Sequence, residues 1–312
     1  MRILFVKTSS LGDVIHNCPA VSDAALRFPG ASIDWLVEEP FAEIAALHAS
    51  VRRAIPVAVR RWRAALLAPQ TWSQFGELRR QLRAERYDCV IDSQGLVKSA
   101  LLASLAEGAR HGFDRASARE PLASLFYGTR HTVPQALHAV ERNRRLAAAA
   151  LGYAAPQACS YDLRAGGEAP LELEVPFALL LTMSSRPGKL WPEERWVELG
   201  RALQQRGARS VLPWGDEAER ARCKRIAQSI GGALVPRRMT LSELARLMPR
   251  ARWIAGVDTG LAHLAAALGT PAVGIYGGSD PALTGLYGNQ RAHNLGAAGR
   301  PPSAREVLER LT

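Results

Sequence analysis

The chain has 312 residues, 47% of them hydrophobic and 22% charged, the balance of a water-soluble globular protein long enough for two ordinary domains. Its longest apolar runs, such as Phe177-Ala178-Leu179-Leu180-Leu181, are far too short to span a bilayer, and the few apolar residues between Arg2 and Lys7 make no signal peptide, so a cytoplasmic protein is expected. The formal charge of +11 invites a nucleic-acid reading, but the excess is even along the chain (21 basic against 15 acidic residues in 1–165, 19 against 14 afterwards) and no nucleic-acid-binding signature accompanies it; an acidic small molecule or an anionic membrane surface accounts for it as well.

In chain order, residues 2–7 read as a short buried strand and 12–27 as a helix. A strand at 33–37, a helix near 41–48 and a short strand at 54–57 follow. A polar helix near 73–85 leads to a strand at 87–92, then come helices near 97–106 and 136–151. From Tyr153 to Pro176 the periodicity fails, which marks a linker. The alternation resumes with strands at 177–183, 210–214, 233–235, 252–257 and 272–276, separated by helices near 192–206, 216–229, 240–248 and 260–268. Residues 303–311 read as a last helix. Strands alternating with helices imply parallel sheets covered on both faces, and the economical arrangement is two Rossmann-like domains facing each other across a cleft. The expected boundaries are 1–160 for the first domain, 161–176 for the linker, 177–295 for the second domain, and 296–312 for a C-terminal segment whose helix packs back on the first domain.

The chemistry-bearing residues collect where strands end. In Lys7-Thr8-Ser9-Ser10-Leu11-Gly12-Asp13, small hydroxyl residues and Gly12 turn a strand into a helix whose free N–H groups favour anions. Asp13 stands at the start of that helix; a helix-terminal acid needs no function, but one beside an anion site, matched by Asp258 in the second half, is better read as functional. The Asp258-Thr259-Gly260-Leu261 turn likewise breaks a strand and opens a helix, and Gly260 lets backbone approach a ligand closely. Ser184-Ser185-Arg186-Pro187-Gly188-Lys189 follows the first strand of the second half with two hydroxyls and a lysine suited to phosphate. Only four of the 40 basic residues are lysines (Lys7, Lys98, Lys189 and Lys224), so a lysine retained here is a candidate for a compact point charge that Arg does not replace. Arg60-Arg61-Trp62-Arg63 at the third strand's end suits carboxylates and phosphates, and Asp92-Ser93-Gln94-Gly95-Leu96-Val97-Lys98 closes another strand on the same edge. A carboxylate in Asp216-Glu217-Ala218-Glu219 can accept a ribose hydroxyl, although helix first turns attract acids anyway. The four cysteines are scattered without ligand spacing, so neither a disulfide frame nor a zinc site is expected. No G-x-G-x-x-G follows the first strand, which argues against a nicotinamide dehydrogenase. No D-x-D occurs either, so a bound diphosphate would be neutralised by Lys, Arg and helix N-termini rather than by a metal.

As a set, Lys7-Thr8-Ser9-Ser10-Leu11-Gly12-Asp13-Val14-Ile15, Lys189-Leu190-Trp191-Pro192-Glu193 and Asp258-Thr259-Gly260-Leu261-Ala262-His263 closely resemble the ADP-heptose:lipopolysaccharide heptosyltransferases, GT-B glycosyltransferases of family nine. Val59-Arg60-Arg61-Trp62-Arg63, Ser93–Ser99 and Arg119–Tyr127 look like the branch that adds the first heptose of the inner core. The resemblance implies inverting transfer of heptose from ADP-heptose to a Kdo hydroxyl of Kdo2-lipid A; no cofactor or metal is expected, and a monomer in peripheral contact with the inner leaflet of the inner membrane through its basic first domain is expected. It implies Asp13 as general base and Lys189 as the group on phosphate and heptose. Ser9, Ser10, Gly12, Ser184, Ser185, Thr259 and Gly260 then belong to the donor site, with Asp258 on heptose, Glu219 on ribose, Met239 and Leu261 at adenine, and His263 in the same motif. Arg60, Arg61, Arg63, Lys98 and Arg119 fall on the acceptor side, whose carboxylates and phosphates are strongly anionic. The chain departs from the family at Met183-Ser184-Ser185-Arg186-Pro187-Gly188, where relatives often carry a Thr pair; Ser still donates to phosphate, so altered loop geometry with function intact is expected.

Two other readings stay open on the residues alone. One is the same chemistry on another acceptor, such as an already heptosylated core. The other is a non-catalytic nucleotide-binding protein at the membrane. Nucleic-acid binding is a distant third.

Overall fold

In the computed structural model, which describes residues 1–311, each half of the chain builds one wholly parallel sheet, and the chain divides into two compact units at Leu163/Arg164. In the first unit β1 (Arg2–Val6) leads to α1 (Leu11–Ile15) and α2 (Cys18–Arg27), β2 (Ser32–Glu38) to α3 (Ala42–Ala46), and β3 (Val51–Val57) to α4 (Val59–Ala64) and α5 (Pro69–Arg83). Then follow β4 (Arg86–Asp92), α6 (Val97–Ala103), β5 (Glu107–Phe113), β6 (Thr129–His131) and α7 (Ala139–Leu151). The sheet order is β3-β2-β1-β4-β5-β6. Ile3 to Val6 are fully buried because β1 lies inside the sheet with helices on both faces. A buried ion pair fixes α7 against α2, Arg144 Nε donating to Asp23 Oδ2 at 2.7 Å.

The order places a reversal between β1 and β4, because the chain winds outward from β1 to β3 and then returns to β4. Open α/β sheets bind ligands beyond the carboxyl ends of the strands at such a point. The segments there are Lys7–Asp13 after β1 and Ser93–Lys98 after β4.

The second unit contains β7 (Phe177–Leu181), α8 (Glu193–Gln205), β8 (Arg209–Val211), α9 (Glu217–Ile230), α10 (Leu241–Leu247), β9 (Trp253–Val257), α11 (Gly260–Ala267), β10 (Ala272–Tyr276), α12 (Pro281–Thr284), β11 (Ala292–Gly296) and α13 (Ala304–Arg310). Its order is β11-β10-β9-β7-β8, with the reversal between β7 and β9. The expected strand at 233–235 contracts to one parallel bridge of Leu234 beside Val211, which occupies the third-strand place of the first unit's order.

Several expectations are corrected. The single helix over 12–27 is two: α1 ends at Ile15, and α2 opens at Cys18 with Asn17 at its N-cap and Pro19 in its first turn. Strands β5 and β11 carry polar, glycine-containing sequences and β6 is the polar triplet Thr129-Arg130-His131, none with strand periodicity. The first three linker residues belong to the first unit, Ala49 N–H donating to the Asp162 carbonyl at 2.9 Å and Leu163 bridging to His48. Of the segment expected over 296–312, Thr312 lies outside the described residues, and the described part falls in the second unit. Ala304, Val307 and Leu311 enter the second unit's own core beside Trp191 and Leu203, because Ser303 and Glu306 cap α13 and its apolar stripe faces α8.

Candidate active site: two carboxylates at two reversal points

In the first unit the turn after β1 is held from below by β4. Asp92, fully buried, accepts the N–H groups of Gln94 (2.9 Å) and Gly95 (3.3 Å) on one oxygen, and the hydroxyls of Ser99 (2.8 Å) and Tyr127 (2.7 Å) on the other. Burial raises its pKa, against the pull of these hydrogen bonds. Gln94, fixed in this way, accepts the N–H groups of Thr8 (3.0 Å) and Ser9 (3.2 Å) on its side-chain oxygen. Lys7 is buried, donates to the Ser93 carbonyl (2.6 Å) and to Asn143 Oδ1 (3.2 Å), and has its pKa pushed down to about 8 by burial, with Asp13 opposing the shift.

This scaffold presents Asp13. Its Oδ2 accepts the Ser10 N–H at 2.9 Å, the return half of a capping box, and also receives Arg119 Nη1 at 3.3 Å. These bonds and a longer one from Ser10 Oγ (3.5 Å) all fall on Oδ2, and the side chain is 25% exposed, so the carboxylate is fixed yet open to a ligand. Lys98 Nζ donates to Ser9 Oγ at 3.4 Å. Ser9, Ser10, Asp13, Lys98 and Arg119 thus come together, with Gly12 in the first turn of α1.

Arg60, Arg61 and Arg63 stand exposed on α4, past the end of β3 on the same sheet edge. The Arg60 N–H donates to the buried Glu38 Oε1 at 2.9 Å, Arg61 pairs with Glu39 at 3.0 Å, and none of the three bonds to the Asp13 group.

In the second unit Asp258 is the hub. Its Oδ2 accepts Lys189 Nζ and Ser279 Oγ in very short contacts, and His263 Nε2 lies 3.5 Å from Oδ1. Burial alone would raise its pKa; the bonds from His263, Lys189 and Ser279 outweigh that and hold it well below the usual carboxylate range. Ser184 Oγ donates to the Asp258 carbonyl at 3.3 Å, whereas Ser185 is exposed.

Helix α11 starts immediately after Asp258 and Thr259. Its first N–H groups have no intrahelical acceptor, and the Thr259 side chain does not cap them. By contrast α9, α10 and α13 are each capped by a side chain (Asp216, Thr240 and Ser303). The start of α11, with Gly260 and Leu261, is therefore a set of free donors beside a lysine, the arrangement that holds phosphate.

Glu219 and Met239 lie on other elements and do not bond to this cluster. Glu219 Oε2 accepts the Gly215 N–H at 2.7 Å in the first turn of α9, and Met239 is buried just before α10. Ser279, which follows Gly277 and Gly278 after β10, is a site residue not named among the sequence candidates. Gly278 is what brings it in: a Cβ there would overlap the Gly188 carbonyl oxygen, so only glycine lets this turn reach the Lys189 turn. Gln94 likewise stood inside a quoted motif without a role. Among the described residues no three His, Cys, Asp or Glu side chains gather as a metal site.

Comparison with known proteins fits this geometry. The model of glycosyltransferase family 9 (heptosyltransferase) matches residues 75–309. Lipopolysaccharide heptosyltransferase 1 of Escherichia coli K12 is 46% identical over 294 residues, 93% of this chain and 92% of the relative. The solved E. coli heptosyltransferase WaaC with ADP superposes with a TM-score of 0.91 at 43% identity, covering 99% of this chain and 98% of the other. The same enzyme with ADP-2-deoxy-2-fluoro heptose gives a TM-score of 0.87 at 42% identity, with the same coverage. Two parallel-sheet Rossmann-like units are thus the GT-B architecture expected from the motifs, and the chain belongs to glycosyltransferase family 9, the heptosyltransferases.

Proposed function

We propose that the protein transfers heptose from ADP-heptose to a Kdo hydroxyl of Kdo2-lipid A, with inversion at the anomeric carbon. The observation that carries this reading is the Asp258 hub, which fixes Lys189 beside the uncapped start of α11. Such a site suits a nucleoside diphosphate sugar, and relatives have been solved with ADP and with a fluorinated ADP-heptose.

In this mechanism Asp13 takes the proton from the acceptor hydroxyl, whose oxygen attacks the anomeric carbon opposite the departing ADP. The C–O bond to the diphosphate breaks in an oxocarbenium-like transition state, and the growing phosphate charge is met by Lys189 and the first N–H groups of α11. Thr259 and Gly260 line the phosphates, Asp258 the heptose, Glu219 the ribose, and Met239 with Leu261 the adenine. Ser9, Ser10, Gly12, Ser184 and Ser185 complete the donor side, and His263 keeps Asp258 oriented. Arg60, Arg61, Arg63, Lys98 and Arg119 meet the carboxylates and phosphates of the acceptor. No metal enters the scheme, since cationic side chains and backbone donors carry the diphosphate. The protein works as a monomer, peripheral on the inner leaflet, where a lipid acceptor resides; among the described residues no helix is long and apolar enough to cross a membrane.

The test is transfer from ADP-heptose to purified acceptors with and without a chelator. We expect one heptose added to Kdo2-lipid A at a rate that the chelator leaves unchanged. Turnover only on an already heptosylated core would reassign the acceptor.

A further inference from the structure

Between α4 and α5 the chain makes a turn whose apolar side chains point outward. Leu67 is 98% exposed, Leu66 56%, and Trp72, in the first turn of α5, 62%. Scattered exposed leucines are ordinary, but three large apolar groups within seven residues of one segment form a patch.

The patch is braced. The Ala65 carbonyl accepts the Ala68 N–H (3.1 Å) and Thr71 Oγ1 (2.7 Å), and the Leu66 carbonyl accepts Trp72 Nε1 (2.8 Å). The Trp72 ring stands edge-on to Phe75 at 6.4 Å, and Phe75 edge-on to the buried Trp62 at 6.1 Å. Hydrogen bonds and edge-to-face rings therefore fix the turn that carries the leucines outward.

Charge identifies what the patch meets. No Asp or Glu occurs between Glu43 and Glu77, a stretch that holds Arg52, Arg53, Arg60, Arg61 and Arg63. Arg52 and Arg53 are spent on Asp34 and Arg61 pairs with Glu39, but all three arginines of α4 stand exposed directly before the leucines. An apolar tip with an amphipathic tryptophan, bordered by arginines in excess of acids, is the chemistry of an anionic membrane interface: apolar groups enter the acyl boundary and guanidinium groups meet the headgroup phosphates.

We propose that the Ala65–Ala68 turn, with Leu66, Leu67 and Trp72, docks the first unit onto an anionic lipid bilayer. This rests on the peripheral-membrane part of the function proposed above, and adds which segment makes the contact. It also bears on the substrate, since α4 carries the proposed acceptor-side arginines next to the docking turn, where a lipid-anchored saccharide would present its anionic sugars.

The experiment is co-sedimentation of the full chain with vesicles of phosphatidylethanolamine and phosphatidylglycerol, and with vesicles of phosphatidylcholine alone. It compares wild type, the double variant Leu66→Gln/Leu67→Gln, and Leu26→Gln, which removes a leucine of similar exposure (68%) at the end of α2. Transfer to a deacylated, water-soluble acceptor is measured in parallel. We expect wild type and Leu26→Gln to bind the anionic vesicles in a salt-sensitive manner and the neutral ones weakly. The double variant should bind at least about tenfold more weakly, with unchanged transfer to the soluble acceptor. Wild-type affinity in the double variant would overturn the proposal, as would active wild-type protein that ignores both vesicles. A wild-type dimer that the double variant loses, without vesicle binding, would assign the patch to a second copy instead. Vesicle binding by wild type that the double variant loses, with no transfer by any variant to any acceptor, would overturn the functional reading and leave the docking surface standing.

Discussion

At the residue scale, Asp258 and Asp13 are carboxylates put to different uses by their neighbours. Asp258 is nearly enclosed and takes three partners, so it stays ionised and acts as an anchor for Lys189 and Ser279. Asp13 is half-buried, takes its bonds on one oxygen, and stays accessible. The depressed pKa of Asp258 has a stability consequence. The unfolded carboxylate titrates near about 3.9, so the stabilisation is fully present above that pH and is lost as pH falls through the lower folded value. Urea unfolding from pH 7 down to pH 3 should therefore show stability falling below about pH 4, and Asp258→Asn should flatten that fall; an unchanged slope in the variant would show that other carboxylates carry it. Both aspartates were legible in the sequence because each follows an apolar strand and opens a helix at a glycine. Ser279 and Gln94 were not, because their roles depend on which turns the sheet places side by side. A serine after two glycines and a glutamine in a loop carry no such signal alone.

At the element scale, glycines decide how closely the turns approach. Replacing Gly278 with Ala pushes the turn after β10 away from the Gly188 carbonyl and draws Ser279 from Asp258. We expect the Kd for ADP-heptose, measured by calorimetry, to rise about tenfold, which is about 1.4 kcal/mol, with the folded core intact; an unchanged Kd would remove Ser279 from the donor site. The inner strands were readable because they are buried on both faces and therefore continuously apolar, as Ala178–Leu181 and Ile254–Val257 illustrate. Strands β6 and β11 lie at sheet edges and β5 next to one, where half the surface is not core, and Arg110, His111 and Asn294 are tolerated in them. The fate of α13 could not be read from its own pattern. An amphipathic stripe states that a helix packs, and only the tertiary fold states that α8 is its partner.

At the scale of the whole molecule, each unit has its own parallel sheet and its own reversal point, and each reversal point carries one of the two carboxylate groups. Alternating strands and helices made the fold class legible, and paired strand-end motifs made the family legible, since neither turn alone distinguishes a glycosyltransferase from any nucleotide-binding protein. The even spread of basic charge was legible too, but its use depends on burial. Arg144 is buried and spent on Asp23 inside the first unit, while Arg119 and the arginines of α4 stay at the surface.

The central claim is that the first unit activates the acceptor and the second grips the donor. Replacing Asp13 with Asn keeps the side chain's shape and removes its basicity, so one measurement separates the roles: the rate of heptose transfer alongside the Kd for ADP-heptose. The account predicts a rate lowered at least about 100-fold with the donor Kd unchanged. A variant that turns over at the wild-type rate, or that loses donor affinity in step with rate, would contradict it.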